Sequence, residues 1–435
     1  MPWDHFFGLG PRRPYAGRPG WGIKPAMTET VLHTDFAGRR WRLFWLAFRT
    51  GLFTILTLGI YRFWMRTRLR RWYWSAVRPG GHPLEYVGAP LEKLLGFLVA
   101  VVVLAFYIGI VNLLLMFASF SIFEGASVAY GASFLGVIPL WFFARYRARR
   151  YVLARTRWRG VRFGLAPGAW GYAWRAILHW LITILTLGLL WPRMTFWLEK
   201  YRTDRSYFGT QRFAQGGRWT MLWRATLHVW IPLLLAAGLG LALLAEMPTE
   251  AATLDDPYTD AVVDLPLPLD QRLLFFIPLT LWALYGIVHY RVRSFEILTR
   301  HKSLGGVSLA AEPNPRRVLW IGFSGYLLVL LAIALPVTPV VGALVFVEVS
   351  QMVPADALDV PRWALAALGA LLYFLIFLMW STLTHVFVTL PLTRHYATRF
   401  TVQNPAALAQ IDQRARDEFA EAEGFADALD VGAAI

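Results

Sequence analysis

The 435-residue chain is 57% hydrophobic and 16% charged, a balance that excludes an ordinary soluble multidomain protein and points to a polytopic membrane protein. Its formal charge of +16 comes from arginines set beside apolar runs, which favours contact with anionic headgroups over nucleic acid. With no cysteine, it has no disulfide, thiolate metal site or cysteine nucleophile.

Residues 1–33, rich in Gly, Pro and Arg, read as a disordered basic arm, and their order lacks the pattern of a cleavable signal peptide. Eight apolar stretches follow, at 43–64, 92–117, 127–146, 174–191, 219–246, 272–292, 318–347 and 363–391. Each approaches the length needed to cross a hydrocarbon core of ~30 Å.

The links between these stretches differ in charge. Residues 247–271 carry six acids and no Lys or Arg, whereas Arg145 to Arg162 holds eight Arg and no acid. The acidic links are therefore expected outside the cell and the basic ones in the cytosol. A stretch with basic flanks at both ends cannot cross once. Two have that problem, 43–64 and 174–191, and both contain the hexad TILTLG, at Thr54–Gly59 and Thr183–Gly188. We read them as re-entrant or interfacial helices, leaving six transmembrane helices in three hairpins.

The resulting fold class is an all-α polytopic membrane protein in two parallel tandem repeats, 34–172 and 173–313, the second enlarged by an acidic extracytoplasmic loop at 247–272. A C-terminal transmembrane hairpin occupies 314–399, and an acidic amphipathic tail 400–435. Each basic connection runs from a basic-aromatic helix into glycine and a short alternating segment. Leu84 and Tyr86, Phe163 and Leu165, Phe213, and Val307 and Leu309 mark four strands of a small cytosolic β-sheet. Leu69, Trp72, Tyr73, Ala76 and Val77 make one apolar stripe of an interfacial helix.

The run TLGIYRFWMRTRLRRWYW, followed by GGHPLEYVGAP, resembles the YjgN-like family of bacterial inner-membrane proteins of unknown function. The resemblance extends over roughly residues 34–430, ending near FADALDV, although Phe63 stands where the family commonly has proline. It implies a multi-pass protein of the inner membrane, and it supplies no catalytic residues.

Thr54 and Thr57, and Thr183 and Thr186, are three apart and share a helix face. With Gly59, Gly188, His179 and Asn112 they are candidates for a solute path. The other reading is threonine bonding back to helix carbonyls, tight glycine packing and an interhelical amide. Arg66, Arg68, Arg70, Arg71, Arg145, Arg147, Arg149 and Arg150 are expected at lipid headgroups. His228, His289 and His385 also fall on apolar stretches but lack the spacing of a metal motif, so neither metal nor cofactor is expected. No phosphate loop or nucleophile elbow is present, so no enzyme is implied.

In the tail, Asn404-Pro405 reads as a helix start, with Leu408, Ile411, Ala415 and Phe419 as its apolar stripe. That helix is expected to dock on the basic cytosolic surface or to serve a cytosolic protein partner, with both termini cytosolic. Two functional readings follow: a permease or channel for a small solute, and a non-enzymatic scaffold or assembly factor that binds anionic lipid and partner proteins.

Overall fold

The computed structural model describes residues 31–123, 126–245, 273–350 and 362–414. The acidic loop and the tail beyond residue 414 lie outside them.

The chain alternates short strands with helical excursions. β1 (Val31–Phe36) leads to α1 (Arg40–Leu56) and α2 (Arg62–Ala76), which return to β2 (Val77–Pro79). After β3 (Leu84–Tyr86) come α3 (Pro90–Phe106), a π-helical step at Tyr107–Val111, α4 (Asn112–Phe123), α5 (Ala126–Ala154) and β4 (Thr156–Trp158). β5 (Val161–Leu165) precedes α6 (Ala169–Leu185), α7 (Trp191–Thr203) and β6 (Ser206–Phe208). β7 (Gln211–Gln215) precedes α8 (Trp223–Ala245), α9 (Phe276–Arg300) and β8 (Lys302–Leu304). Last, β9 (Val307–Ala311) is followed by α10 (Pro315–Ser350), α11 (Arg362–Thr384), a second π-helical step at His385–Thr389, α12 (Leu390–Thr398) and β10 (Phe400–Gln403).

All ten strands join one antiparallel sheet in the order β2-β1-β10-β9-β8-β7-β6-β5-β4-β3. Read as a ring this is chain order, interrupted only between β2 and β3, so the sheet is a near-barrel with one unpaired seam. Because successive neighbours are antiparallel, every helical excursion leaves and re-enters at one end of the sheet. The tight turns lie at the other end, as do the start of β1 and the end of β10. Arg159-Gly160 and Gly305-Gly306 make two of those turns with both residues at positive φ, the geometry that matches the twist of a two-residue hairpin.

The sheet corrects the all-α expectation. The four strands read from the sequence are β3, β5, β7 and β9, but each has a partner strand, and β1 and β10 close the set. β1 also begins at Val31, inside the segment 1–33 read as a disordered arm. Strand side chains two apart face the interior, where Trp158, Phe208, Leu304, Val307 and Val402 form an apolar core.

Among the described residues, three helices are long and apolar enough to cross a membrane: Trp219–Ala245, Pro315–Gly342 and Ala367–Thr398. They carry many large apolar side chains on their outer faces, among them Leu234, Leu241, Leu335 and Phe377.

The TILTLG segments are not single helices. Each is a helix end, a turn and the start of the next helix. In the first, Gly59 N–H donates to Thr54 O at 2.7 Å and Leu58 N–H to Ile55 O at 3.0 Å. In the second, Gly188 N–H donates to Thr183 O at 2.6 Å and Leu187 N–H to Ile184 O at 2.9 Å. These are the paired bonds of a Schellman stop. Here leucine, at φ 50° in Leu58 and 51° in Leu187, takes the left-handed position usually given to glycine. The threonines complete the turn, since Thr57 Oγ1 donates to Phe53 O and accepts from Tyr61 N–H, while Thr186 repeats the pattern with Ile182 and Leu190. The same letters recur because the same helix-to-helix reversal recurs.

Candidate functional site

The strongest candidate site is a cleft of about 770 Å³ walled by α5, α6, α7, α8 and α9. Its inner part is ionic. Glu199 on α7 accepts from Arg202 Nη2 at 2.6 Å and from Lys302 Nζ, on β8, at 2.6 Å. Burial alone would raise the Glu199 carboxyl, but Lys302, Arg202 and Arg149 outweigh it and hold the group well below the usual carboxylate range.

One carboxylate does not neutralise this place. Arg145 and Arg149 on α5, Arg202 and Lys302 all line the cleft, with Arg291 of α9 beside them. The Nε atoms of Arg145, Arg149 and Arg202 are buried and have no hydrogen-bond partner among the described residues. Buried guanidinium donors left unpaired are costly, and an anion presenting several oxygens would satisfy them. The outer part of the same cleft is apolar and aromatic, built from Trp180, Leu187, Trp191, Trp230 and Leu233. A charged floor under an aromatic rim suits an amphiphile.

Half of this site is legible in the sequence. Thr183 and Gly188 line the cleft, with Arg145 and Arg149. Thr186 bonds back to Ile182 O at 2.8 Å, and His179 Nδ1 lies 2.7 Å from Arg175 O. In the first copy, Thr54 bonds to Thr50 O, Thr57 is exposed, and a Cβ on Gly59 would meet nothing within 4 Å. The two copies do not share a path, because α1 packs on α2 and α11 whereas α6 packs on α5 and α7. Asn112 opens α4 just past the π-helical step, and its side chain lies outside the described set.

The arginines expected at headgroups divide. Arg70 and Arg150 are buried in protein, with Arg70 reaching the Tyr86 hydroxyl and Arg150 Nε donating to Leu165 O at 3.1 Å. Arg71 donates to Gly88 O at 2.9 Å, and Arg68 lies over the Tyr61 ring. Arg145 and Arg147 lie over Trp141 and Phe143, and Arg66 is half-buried on α2. The apolar stripe of α2 is likewise internal, since Leu69, Tyr73 and Ala76 are buried. A helix with basic residues on every side hides which of its faces meets protein.

Glu199, Arg202 and Lys302 were not singled out in the sequence. Their signal was a lone acid in the basic-aromatic run WLEKYRT, which has meaning only once β8 brings Lys302 beside α7. Among the described residues the histidines give one pair: His228 and His289 rings pack with centroids 4.5 Å apart between α8 and α9, and His228 accepts from Trp282 Nε1 at 3.3 Å. No group of three or more potential metal ligands occurs among the described residues.

A helical bundle that includes three helices long and apolar enough to cross a membrane, set on a ten-stranded near-barrel, defines a membrane-associated protein. The chain belongs to a family of bacterial proteins of unknown function, DUF898, whose model matches residues 31–428. This is the YjgN-like family that the segment Thr57–Tyr86 resembles. No curated protein and no solved structure matches the chain.

Proposed function

We propose that the protein is a multi-pass protein of the bacterial inner membrane that binds an anionic lipid of the cytosolic leaflet in the α5–α9 cleft. The phosphate sits among Arg145, Arg149, Arg202 and Lys302, and the acyl chains leave past Leu187, Trp230 and Leu233. The observation that carries this reading is the set of unpartnered guanidinium Nε atoms beneath an aromatic rim. Sheet topology supports the orientation: if the tight-turn end is cytosolic, every excursion crosses an even number of times or not at all, as the basic flanks require. The excursions α1–α2 and α6–α7 then dip into the near leaflet, led by the exposed Leu58 and Leu187 at their tips. Both termini are cytosolic in this arrangement.

Of the two readings from the sequence, the geometry favours lipid binding over a solute permease, since the paired TILTLG turns line no common route. The test is binding of phosphatidylglycerol against phosphatidylcholine by native mass spectrometry. Arg145→Gln with Arg149→Gln is expected to weaken phosphatidylglycerol selectively, by roughly fivefold for each cation at ~1 kcal/mol apiece. Equal retention of the two lipids by the native protein would refute the proposal.

A further inference from the structure

The near-barrel encloses a second space of different character. Its lumen has a volume of about 690 Å³, lined chiefly by Phe163, Phe213, Leu309, Phe400 and Val402, and among the described residues no charged side chain lines it. That size falls within the ~300–1,000 Å³ of small-molecule sites. The space is half-open and not a sealed void, so a ligand can reach it.

Two polar atoms indicate what. Thr34 Oγ1 and Trp158 Nε1 are buried, in residues 4% and 5% exposed, and neither has a hydrogen-bond partner among the described residues. Both residues line the lumen. Each lies one strand in from the seam: Thr34, on β1, is opposite Pro79 of β2, and Trp158, on β4, is opposite Leu84 of β3. An indole N–H only donates, while a hydroxyl donates or accepts, so the matching group is an oxygen acceptor with or without its own hydrogen. A carboxylate or phosphate does not fit, because no cation lines the lumen to offset burial of the charge.

We infer that the lumen binds one uncharged long-chain lipid carrying hydroxyl or carbonyl groups, with its tail along the aromatic strand faces and its head oxygens at Trp158 Nε1 and Thr34 Oγ1. Entry is from the helical end, where Phe295, Tyr326, Leu392 and Tyr396 of α9, α10 and α12 form the upper wall. Phe295 lines both this lumen and the cationic cleft, and packs edge-on to Tyr396 at 5.4 Å. The opposite end is covered by the segment after β10, where Asn404 donates to Gly306 O and Leu408 and Ile411 pack on the strand core. The inference is independent of the cleft and uses a different ligand.

The chain has no native cysteine, so Leu309→Cys places a single thiol in the lumen and Ser303→Cys a control on the exposed side of β8. In phosphatidylcholine nanodiscs, monooleoylglycerol is expected to slow N-ethylmaleimide alkylation of the Leu309→Cys protein at least tenfold and leave the control unchanged. Trp158→Phe should raise the concentration needed for that protection about fivefold. Unchanged alkylation at saturating monooleoylglycerol, or equal protection by added phosphatidylglycerol, overturns the inference.

If Leu309→Cys does not fold, a diazirine-bearing monoacylglycerol on the native chain answers the same question. Saturable adducts on Phe213, Phe400 or Val402 support the site, whereas adducts confined to outward helix faces refute it. The double variant Arg145→Gln/Arg149→Gln should leave both readouts unchanged, which separates failure of this inference from failure of the cleft.

Discussion

Glu199 shows most clearly how single residues hold the site. Its carboxylate sits against Arg202 and Lys302, with 14% of its side chain exposed. Glu199→Gln keeps the shape and removes the charge, leaving two cations buried beside Arg149. The expected loss is about 3 kcal/mol, read as a lower thermal midpoint. The pH dependence has a definite sign. A carboxyl whose folded pKa lies below its unfolded value of ~4.3 contributes stability above that value, and the contribution is lost as pH falls toward and through the folded pKa. The native protein should therefore lose midpoint on acidification below about pH 4, and Glu199→Gln should lose less. Equal acid sensitivity of the two proteins would remove the ion cluster from this account.

At the scale of elements, the TILTLG turns make a differential prediction. Gly59 and Gly188 both have φ near 90°, at 93° and 88°, so alanine strains either one by about 1 kcal/mol. Only at Gly188 does the added carbon meet a neighbour, Trp230 at 3.3 Å, on the cleft rim. Gly188→Ala should thus weaken anionic-lipid retention, whereas Gly59→Ala should affect stability alone; equal effects on lipid retention would contradict the assignment of the second turn to the cleft. Gly286 is a second such position. A methyl there would run into the backbone carbonyl of His228, so Gly286→Ala should separate α8 from α9 and cost several kcal/mol in thermal stability.

These elements also show what was legible beforehand. The strands β3, β5, β7 and β9 were readable because each follows a glycine turn with alternating apolar residues. Their partners were not, because Val77–Pro79, Thr156–Trp158, Ser206–Phe208 and Lys302–Leu304 are three-residue continuations of basic-aromatic helices. The pairing of β1 with β10 joins opposite ends of the chain, and no local pattern signals it. In the tail, the helix start expected at Asn404-Pro405 is instead a left-handed Asn404 followed by a 3-10 turn at Pro405–Gln410, and of the two described stripe residues Ile411 is buried and Leu408 half-buried. Ala415 and Phe419 lie outside the described residues. The cleft was half legible for the same reason as the sheet, since Arg145 and Arg149 share one helix whereas Glu199, Arg202 and Lys302 meet only through tertiary pairing.

At the scale of the whole molecule, the central claim is that all helical excursions rise from one end of a near-barrel that lies beneath the membrane. The cysteine-free chain allows a direct measurement with single thiols and a membrane-impermeant maleimide. His82→Cys, Arg159→Cys and Ser303→Cys lie on exposed positions at or beside three tight turns, and Thr253→Cys lies in the acidic link between α8 and α9. The first three should react only in inside-out vesicles and Thr253→Cys only in right-side-out cells. Labelling of any tight-turn thiol from outside the cell, or of Thr253→Cys from the cytosolic side alone, would contradict it.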